Sequence, residues 1–340
     1  MVSARTARRI ATAALYGGGG LGLAGAGFYG LLRLEARQAR LAIGTIPEGP
    51  PTADGRYGHY AGGSISIAIL GDSSAAGIGV DVSDETPGAL LAAGLAEMAE
   101  RPVMLTVVAK SGAQSSDLAE QVAAVRDTRP DLALIIIGGN DVTHQMNPAV
   151  SVRLLDEAVR ALRDAGTAVV VGTCPDLGTV EPIPRPLRWL ARRASRRLAA
   201  AQTVAVVEAG GRTVSLGSIL GPEFAAAPGH MFGTDRFHPS AAGYAAAAAA
   251  VLPSVGSALG LWQVEEEGPE LLPGEDVLPV AVAAAAAVEE SGTEVAATQV
   301  AGHDRGPRGR WAQLRHRRRR PLPEPEREVM PPVLQGREVR

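Results

Sequence analysis

Residues 65–80 read ISIAILGDSSAAGIGV, and the fold follows from how this stretch is read. Ile65, Ile67 and Ile69 sit in a short apolar run of β-branched residues, which predicts a buried strand. The run breaks at Gly71-Asp72-Ser73-Ser74, and Gly77 and Gly79 follow. A buried strand that ends in a sharp glycine turn carries its next side chain to the lip of a sheet. Here that side chain is Ser73. A serine held rigidly on such a turn, beside free backbone N–H groups, meets the needs of an activated nucleophile. Taken alone, the stretch is equally a Gly/Ser-rich loop after a first strand, so the decision rests on the chain beyond it.

Beyond it the pattern alternates. Residues 85–99 have helical spacing, with Leu90, Leu91, Leu95 and Met98 on one side. Strands are predicted at Met104–Ala109, Leu132–Ile137, Ala168–Gly172 and Val204–Val207. Helices are predicted at Ser115–Asp127, Pro148–Ala165, Pro186–Ala201 and Pro239–Leu252. Apolar strands separated by helices predict a five-stranded parallel sheet covered on both faces. In such sheets ligands bind beyond the carboxyl ends of the strands. Ser73 follows strand one, Gly112 follows strand two and Asn140 follows strand three. Asp235 and His238 precede the last helix, in Gly233-Thr-Asp-Arg-Phe-His-Pro239.

This set fits acyl transfer. Ser73 would attack a carbonyl, His238 would act as general base, and Asp235, three residues earlier, would orient the imidazole. Oxyanion donors would be the N–H groups of Ser73 and Gly112 and the Asn140 carboxamide. Asp72 and Asp141 flank the site and are read as loop braces. No His/Cys/Asp cluster has metal-ligand spacing, so no metal is expected.

The same residues resemble the SGNH (GDSL-type) hydrolase superfamily. Gly71-Asp72-Ser73 is similar to its first block, Gly112 to the oxyanion glycine of the second, Gly138-Gly-Asn140-Asp141 to the third and Asp235-Arg-Phe-His238 to the last. The order and spacing match across roughly residues 64–255. Ser74 stands where a leucine is usual, and Ser111 where the second block more often has asparagine. The resemblance implies a three-layer α/β/α, flavodoxin-like sandwich and esterase, lipase or acyl-hydrolase activity without a cofactor. A thioesterase or a deacetylase of envelope sugars would use the same catalytic set. A binding or scaffold protein on this fold would have no need of the complete Ser73, Asp235 and His238 set.

Composition divides the 340 residues unevenly. Residues 1–44 are read as a short stub and a signal anchor: Ile10 to Leu32 is an uncharged run of 23 residues, with Arg5, Arg8 and Arg9 before it. This places the catalytic domain outside the cytoplasm, with secretion after cleavage and a cytoplasmic placement as alternatives. Gly20-Leu-Gly22-Leu-Ala-Gly25 matches a dinucleotide fingerprint but lacks its preceding strand and following acid. Residues 45–62 read as a linker, 63–258 as the catalytic domain and 259–340 as a disordered tail, acidic and then Arg-rich. A net charge of -3 argues neither for nor against a nucleic-acid partner, and no specific nucleic acid is expected. The expected partners are a membrane, through the N-terminal segment, and a small-molecule, lipid or glycan ester. Cys174, the single cysteine, excludes an internal disulfide. Pro175–Leu190, which holds four prolines, and Val142–Val150 are the expected sources of substrate choice. Leu187, Trp189 and Leu190 would line an acyl pocket or form the buried face of the next helix.

Overall fold

The computed structural model describes residues 27–44 and 49–261, together with the short paired strands Gln299–Val300 and His303–Asp304. The stub, most of the uncharged run and nearly all of the expected disordered tail lie outside the described residues. A first helix, α1, spans 27–43. The main sheet is built from β1 (Gly55–Tyr57), β2 (Ile65–Gly71), β3 (Val103–Val107), β4 (Leu132–Ile136), β5 (Ala168–Gly172) and β6 (Arg212–Val214). Between and after these run α2 (Ser73–Ala76), α3 (Pro87–Ala99), α4 (Leu118–Arg126), α5 (Gly139–Thr143), α6 (Pro148–Asp164), α7 (Leu187–Glu208), α8 (Leu216–Ala226), α9 (Pro228–Met231) and α10 (Ala241–Ala258).

The strand order is β1-β3-β2-β4-β5-β6. β2 to β6 are parallel, and β1 pairs antiparallel with β3 along Gly55–Tyr57. The order doubles back at β2, which lies between β3 and β4, so a topological switch point opens at the carboxyl ends of β2 and β4. Side chains alternate across the sheet, as the strand period of two requires. Ile65, Ile67 and Ile69 of β2 join one core with α3, α8 and α10. Ala68 and Leu70 join the other core with α4, α6 and the end of α7. Helices therefore cover both faces, as a three-layer α/β/α sandwich.

Helix starts follow local chemistry. Thr86 caps α3 by accepting the Ala89 N–H, with Pro87 at the first position; Asn147 caps α6 in the same way, followed by Pro148. Ser240 caps α10. Among the described residues α10 is the one helix long and apolar enough to cross a membrane. It packs on α3 with Tyr244, Ala250, Val251 and Val255 buried, so it is a core helix here.

Two expectations are corrected. Residues read as linker include the edge strand β1, because Ala53 is buried, the Tyr57 hydroxyl donates to the Ala53 carbonyl, and Asp54 accepts the Val107 N–H. The sheet thus has six strands, five parallel and one antiparallel. The strand expected at Val204–Val207 is instead the end of α7, where Val206 packs into the α4/α6 core. Gly210, at φ +80°, ends that segment, and the fifth parallel strand is β6.

Candidate active site

Gly71 closes β2 in a conformation only glycine adopts freely. Its φ is +131°, and a Cβ there would lie 1.9 Å from the Ile136 carbonyl oxygen. Gln121 of α4 clasps this residue, accepting its N–H at 2.7 Å and donating to its carbonyl at 3.0 Å. The chain then turns into α2. Asp72 is the N-cap, with Oδ1 accepting the Ser74 N–H at 3.0 Å, and Ser73 is the first helical residue. A first-turn N–H has no acceptor within its own helix, so the Ser73 N–H sits at the site unclaimed by α2. Burial pushes the Asp72 carboxyl up to about 6, against the opposing pull of the Ser74 N–H and of His238.

The loop before α10 meets this turn. His238 Nε2 lies 2.9 Å from Ser73 Oγ, across 165 residues of sequence. His238 Nδ1 lies 2.5 Å from Asp235 Oδ2. Asp235 Oδ1 accepts the N–H groups of Phe237 and His238 at 2.9 and 3.0 Å. Burial pushes the Asp235 carboxyl up, but the His238 ring and the two backbone donors outweigh it and hold the group below its ordinary value. The loop is fastened by the Gly233 N–H donating to the His238 carbonyl and by the Tyr244 hydroxyl donating to the Ile78 carbonyl at 2.6 Å. The three sequence-predicted residues Ser73, His238 and Asp235 thus form one hydrogen-bonded chain.

Asn140, the second residue of α5, lies beside the same cleft, and its Nδ2 donates to the Ala113 carbonyl at 3.0 Å. That bond leaves the second amide hydrogen for another acceptor. Gly112 precedes Ala113 on an exposed loop, with φ +79° and open space around its Cα. The loop is tied to α5 and α6 through Asp141, which accepts from the Ser115 N–H and hydroxyl and from the Ser151 hydroxyl. Asp141 is therefore a brace, as its position in the sequence suggests. Cys174 is buried with its thiol pushed well up by burial and then by Asp72, Asp141 and Asp176, which keeps it protonated. His144 and His230 are exposed. Among the described residues no group of three or more His, Cys, Asp or Glu is placed to hold a metal ion.

A cleft with a cavity volume of about 100 Å³ opens beside Ser73. Its walls are chiefly apolar: Leu177 and Val180 after β5, Leu216, Leu220 and Phe224 of α8, and Phe232. Sequence reasoning looked for such a wall in Pro175–Leu190 and found its first part. Leu187, Trp189 and Leu190 are not in the cleft; Trp189 points outward at 60% exposure. The α8 wall was missed, although its apolar spacing at Leu216, Leu220 and Phe224 is helical.

The sequence model of the GDSL-like Lipase/Acylhydrolase family matches residues 69–246, slightly more than half of the chain. The chain is 43% identical over 255 residues to the GDSL-like esterase Rv1075c of Mycobacterium tuberculosis, covering 71% of this chain and 81% of that protein. Among solved structures, TesA is 22% identical with a TM-score of 0.46, covering 57% of this chain and 99% of its own. The lipase/acylhydrolase from Enterococcus faecalis is 21% identical with a TM-score of 0.42, covering 59% and 100%. From the family match and the esterase relative, the chain belongs to the GDSL-like lipase/acylhydrolase family and is an ester hydrolase.

Proposed function

We propose that the protein cleaves carboxylic esters through an acyl intermediate on Ser73. The observation that carries this reading is the hydrogen-bonded chain from Ser73 Oγ through His238 to Asp235, at 2.9 and 2.5 Å. Ser73 Oγ attacks the ester carbonyl carbon while His238 Nε2 takes the hydroxyl proton. Asp235 holds the ring with Nδ1 protonated and stabilises the imidazolium that forms. The bond from carbonyl carbon to alcohol oxygen then breaks, and His238 returns its proton to the departing alcohol. A water molecule repeats the sequence on the acyl-serine, releasing the acid and restoring Ser73.

The tetrahedral oxyanion would be held by the Ser73 N–H, the Gly112 N–H and the Asn140 amide. Supporting this are the place of Ser73 at the start of α2, the common cleft of Ser73 and Asn140, and the Ala113 carbonyl that orients the Asn140 amide next to Gly112. The acyl group of the ester would enter the apolar cleft. A membrane-anchored enzyme with its catalytic domain outside the cytoplasm is the accompanying reading, supported by the uncharged run Ile10–Leu32 and the arginines before it.

Hydrolysis of a chain-length series of chromogenic acyl esters, together with labelling by a fluorophosphonate probe, tests the mechanism. Ser73→Ala and His238→Ala are expected to lower turnover by about 10⁴-fold or more while the fold is kept. Ser73→Ala is also expected to abolish labelling. Unchanged turnover in Ser73→Ala would sink the assignment.

A further inference from the structure

Helix α1 is docked on the catalytic domain along one stripe. Glu35, only 5% exposed, accepts the N–H of Leu187, the first residue of α7, at 2.8 Å, and Ala39 one turn on is buried. A carboxylate at a helix start satisfies one of its free N–H groups and suits its dipole. Away from this docked stripe, α1 carries two others at helical spacing. Leu31, Leu34 and Leu41 form an exposed apolar stripe, with Leu34 at 53% and Leu41 at 74% exposure. Arg33, Arg37 and Arg40 form an exposed basic stripe beside it. Phe28 and Tyr29 are also exposed at the beginning of the helix, and Arg33 Nε donates to the Tyr29 hydroxyl at 2.7 Å.

The start of α7, on which Glu35 docks, also carries an exposed aromatic residue. Trp189 is 60% exposed, with the Arg193 guanidinium over its ring at 5.9 Å. Scattered exposed leucines need no explanation, but an apolar stripe flanked by arginines, with an exposed tryptophan two residues past the docking point on α7, is the composition of a helix edge that meets lipid headgroups. Tryptophan is also a residue enriched where one side is apolar and the other wet. The uncharged run, whose length suits the hydrocarbon core of a bilayer, ends at Leu32 within α1.

We infer that the α1–α7 edge of the catalytic domain docks on an anionic lipid bilayer, with Leu31, Leu34 and Trp189 in the interface and Arg33, Arg37 and Arg193 among the headgroups. Leu34, Trp189 and the three arginines lie outside the uncharged run, so their contact with lipid is distinct from any anchoring by the run itself, which ends at Leu32. It also bears on the substrate. The Leu177 wall of the cleft is fastened to α7: Ser195 Oγ accepts the Leu177 N–H at 3.3 Å, and Arg192 and Arg196 pair with the buried Asp176 at 3.3 and 3.2 Å. The element that meets lipid therefore also supports the cleft wall, and esters carried by the membrane are presented to the site.

The test uses the full chain with Trp262→Phe and Trp311→Phe, which leaves Trp189 as the single tryptophan. The uncharged run can carry the protein to vesicles by itself, so sedimentation does not decide the question. Short-range quenching by brominated lipids does. In phosphatidylcholine vesicles containing about a third phosphatidylglycerol, Trp189 emission is expected to shift to the blue and fall to roughly half on bromination of the acyl chains. Arg33→Gln, Arg37→Gln and Arg193→Gln together should remove most of that quenching, with an unchanged near-ultraviolet circular dichroism spectrum as the control for folding. A vesicle-bound protein whose Trp189 keeps the emission of a water-exposed indole would overturn the inference. So would a concentration-dependent blue shift without lipid, which would assign the edge to a second copy of the chain.

Discussion

Replacing Asp72 by Asn removes a buried charge and keeps the cap, because the Asn carbonyl oxygen can still accept the Ser74 N–H. The folded carboxyl is pushed up to about 6 by burial, above its ordinary 3.8. Well below 3.8 the group is protonated in both folded and unfolded chains, and it contributes no pH dependence. Between 3.8 and about 6 the unfolded chain has lost this proton while the folded chain retains it, so stability falls as the pH rises. Above about 6 both states are ionised, and the full penalty of the buried charge stays in place. At about 1.4 kcal/mol per pH unit, the gap from 3.8 to about 6 corresponds to about 3 kcal/mol. Asp72→Asn is therefore expected to be more stable than the wild type by about 3 kcal/mol at pH 8 and to match it near pH 4. Urea unfolding of both proteins at the two pH values measures this, and the comparison cancels the other carboxylates. Turnover should move the opposite way, because the Asp72 carboxylate and the His238 imidazolium attract one another. A stability difference that is the same at both pH values would refute the reasoning.

Other substitutions probe the rest of the site. Asn140→Ala should lower kcat by about 10²–10³-fold with little change in KM, if its amide acts on the transition state; steady-state kinetics with a raised KM and an unchanged kcat would assign Asn140 to substrate binding instead. Gly71→Ala should destabilise the protein by more than about 4 kcal/mol, since the new Cβ meets the backbone of β4 in a conformation that already disfavours a side chain. A thermal melt equal to that of the wild type would contradict the close approach of β2 and β4.

Much of the architecture could be read in the chain because its strands are unusually plain. Leu132–Ile136 is a continuous apolar run and Ile65–Gly71 is apolar but for Ser66; both are bounded by glycine or polar turns and form central strands. The misreadings have local causes. Val204, Val206 and Val207 have strand-like composition, but they continue a 22-residue helix whose buried stripe they complete. β6 has three residues, too few for any periodicity to register, and it exists because the edge of β5 offers it hydrogen-bond partners. β1 is equally short and lies among Pro and Gly, where turn chemistry dominates the local signal. Trp189 was weighed as a cleft residue, yet helix phase alone does not say which side of α7 faces a neighbour.

By itself the sequence determined the parallel α/β order, the four loops that carry polar groups to one sheet edge, and the chemical character of those groups. Strand period, glycine turns and side-chain chemistry are local properties, so they are legible along the chain. Tertiary structure alone decided that β2 stands between β3 and β4, which creates the crevice. It also decided that the Ser73 turn and the His238 loop meet within hydrogen-bond distance, and that α8 closes the cleft while Glu35 fastens α1 to α7. Each of these is a contact between segments far apart in sequence, set by how apolar faces pack and by which close approaches glycine permits. Neither condition is written in any one stretch of residues.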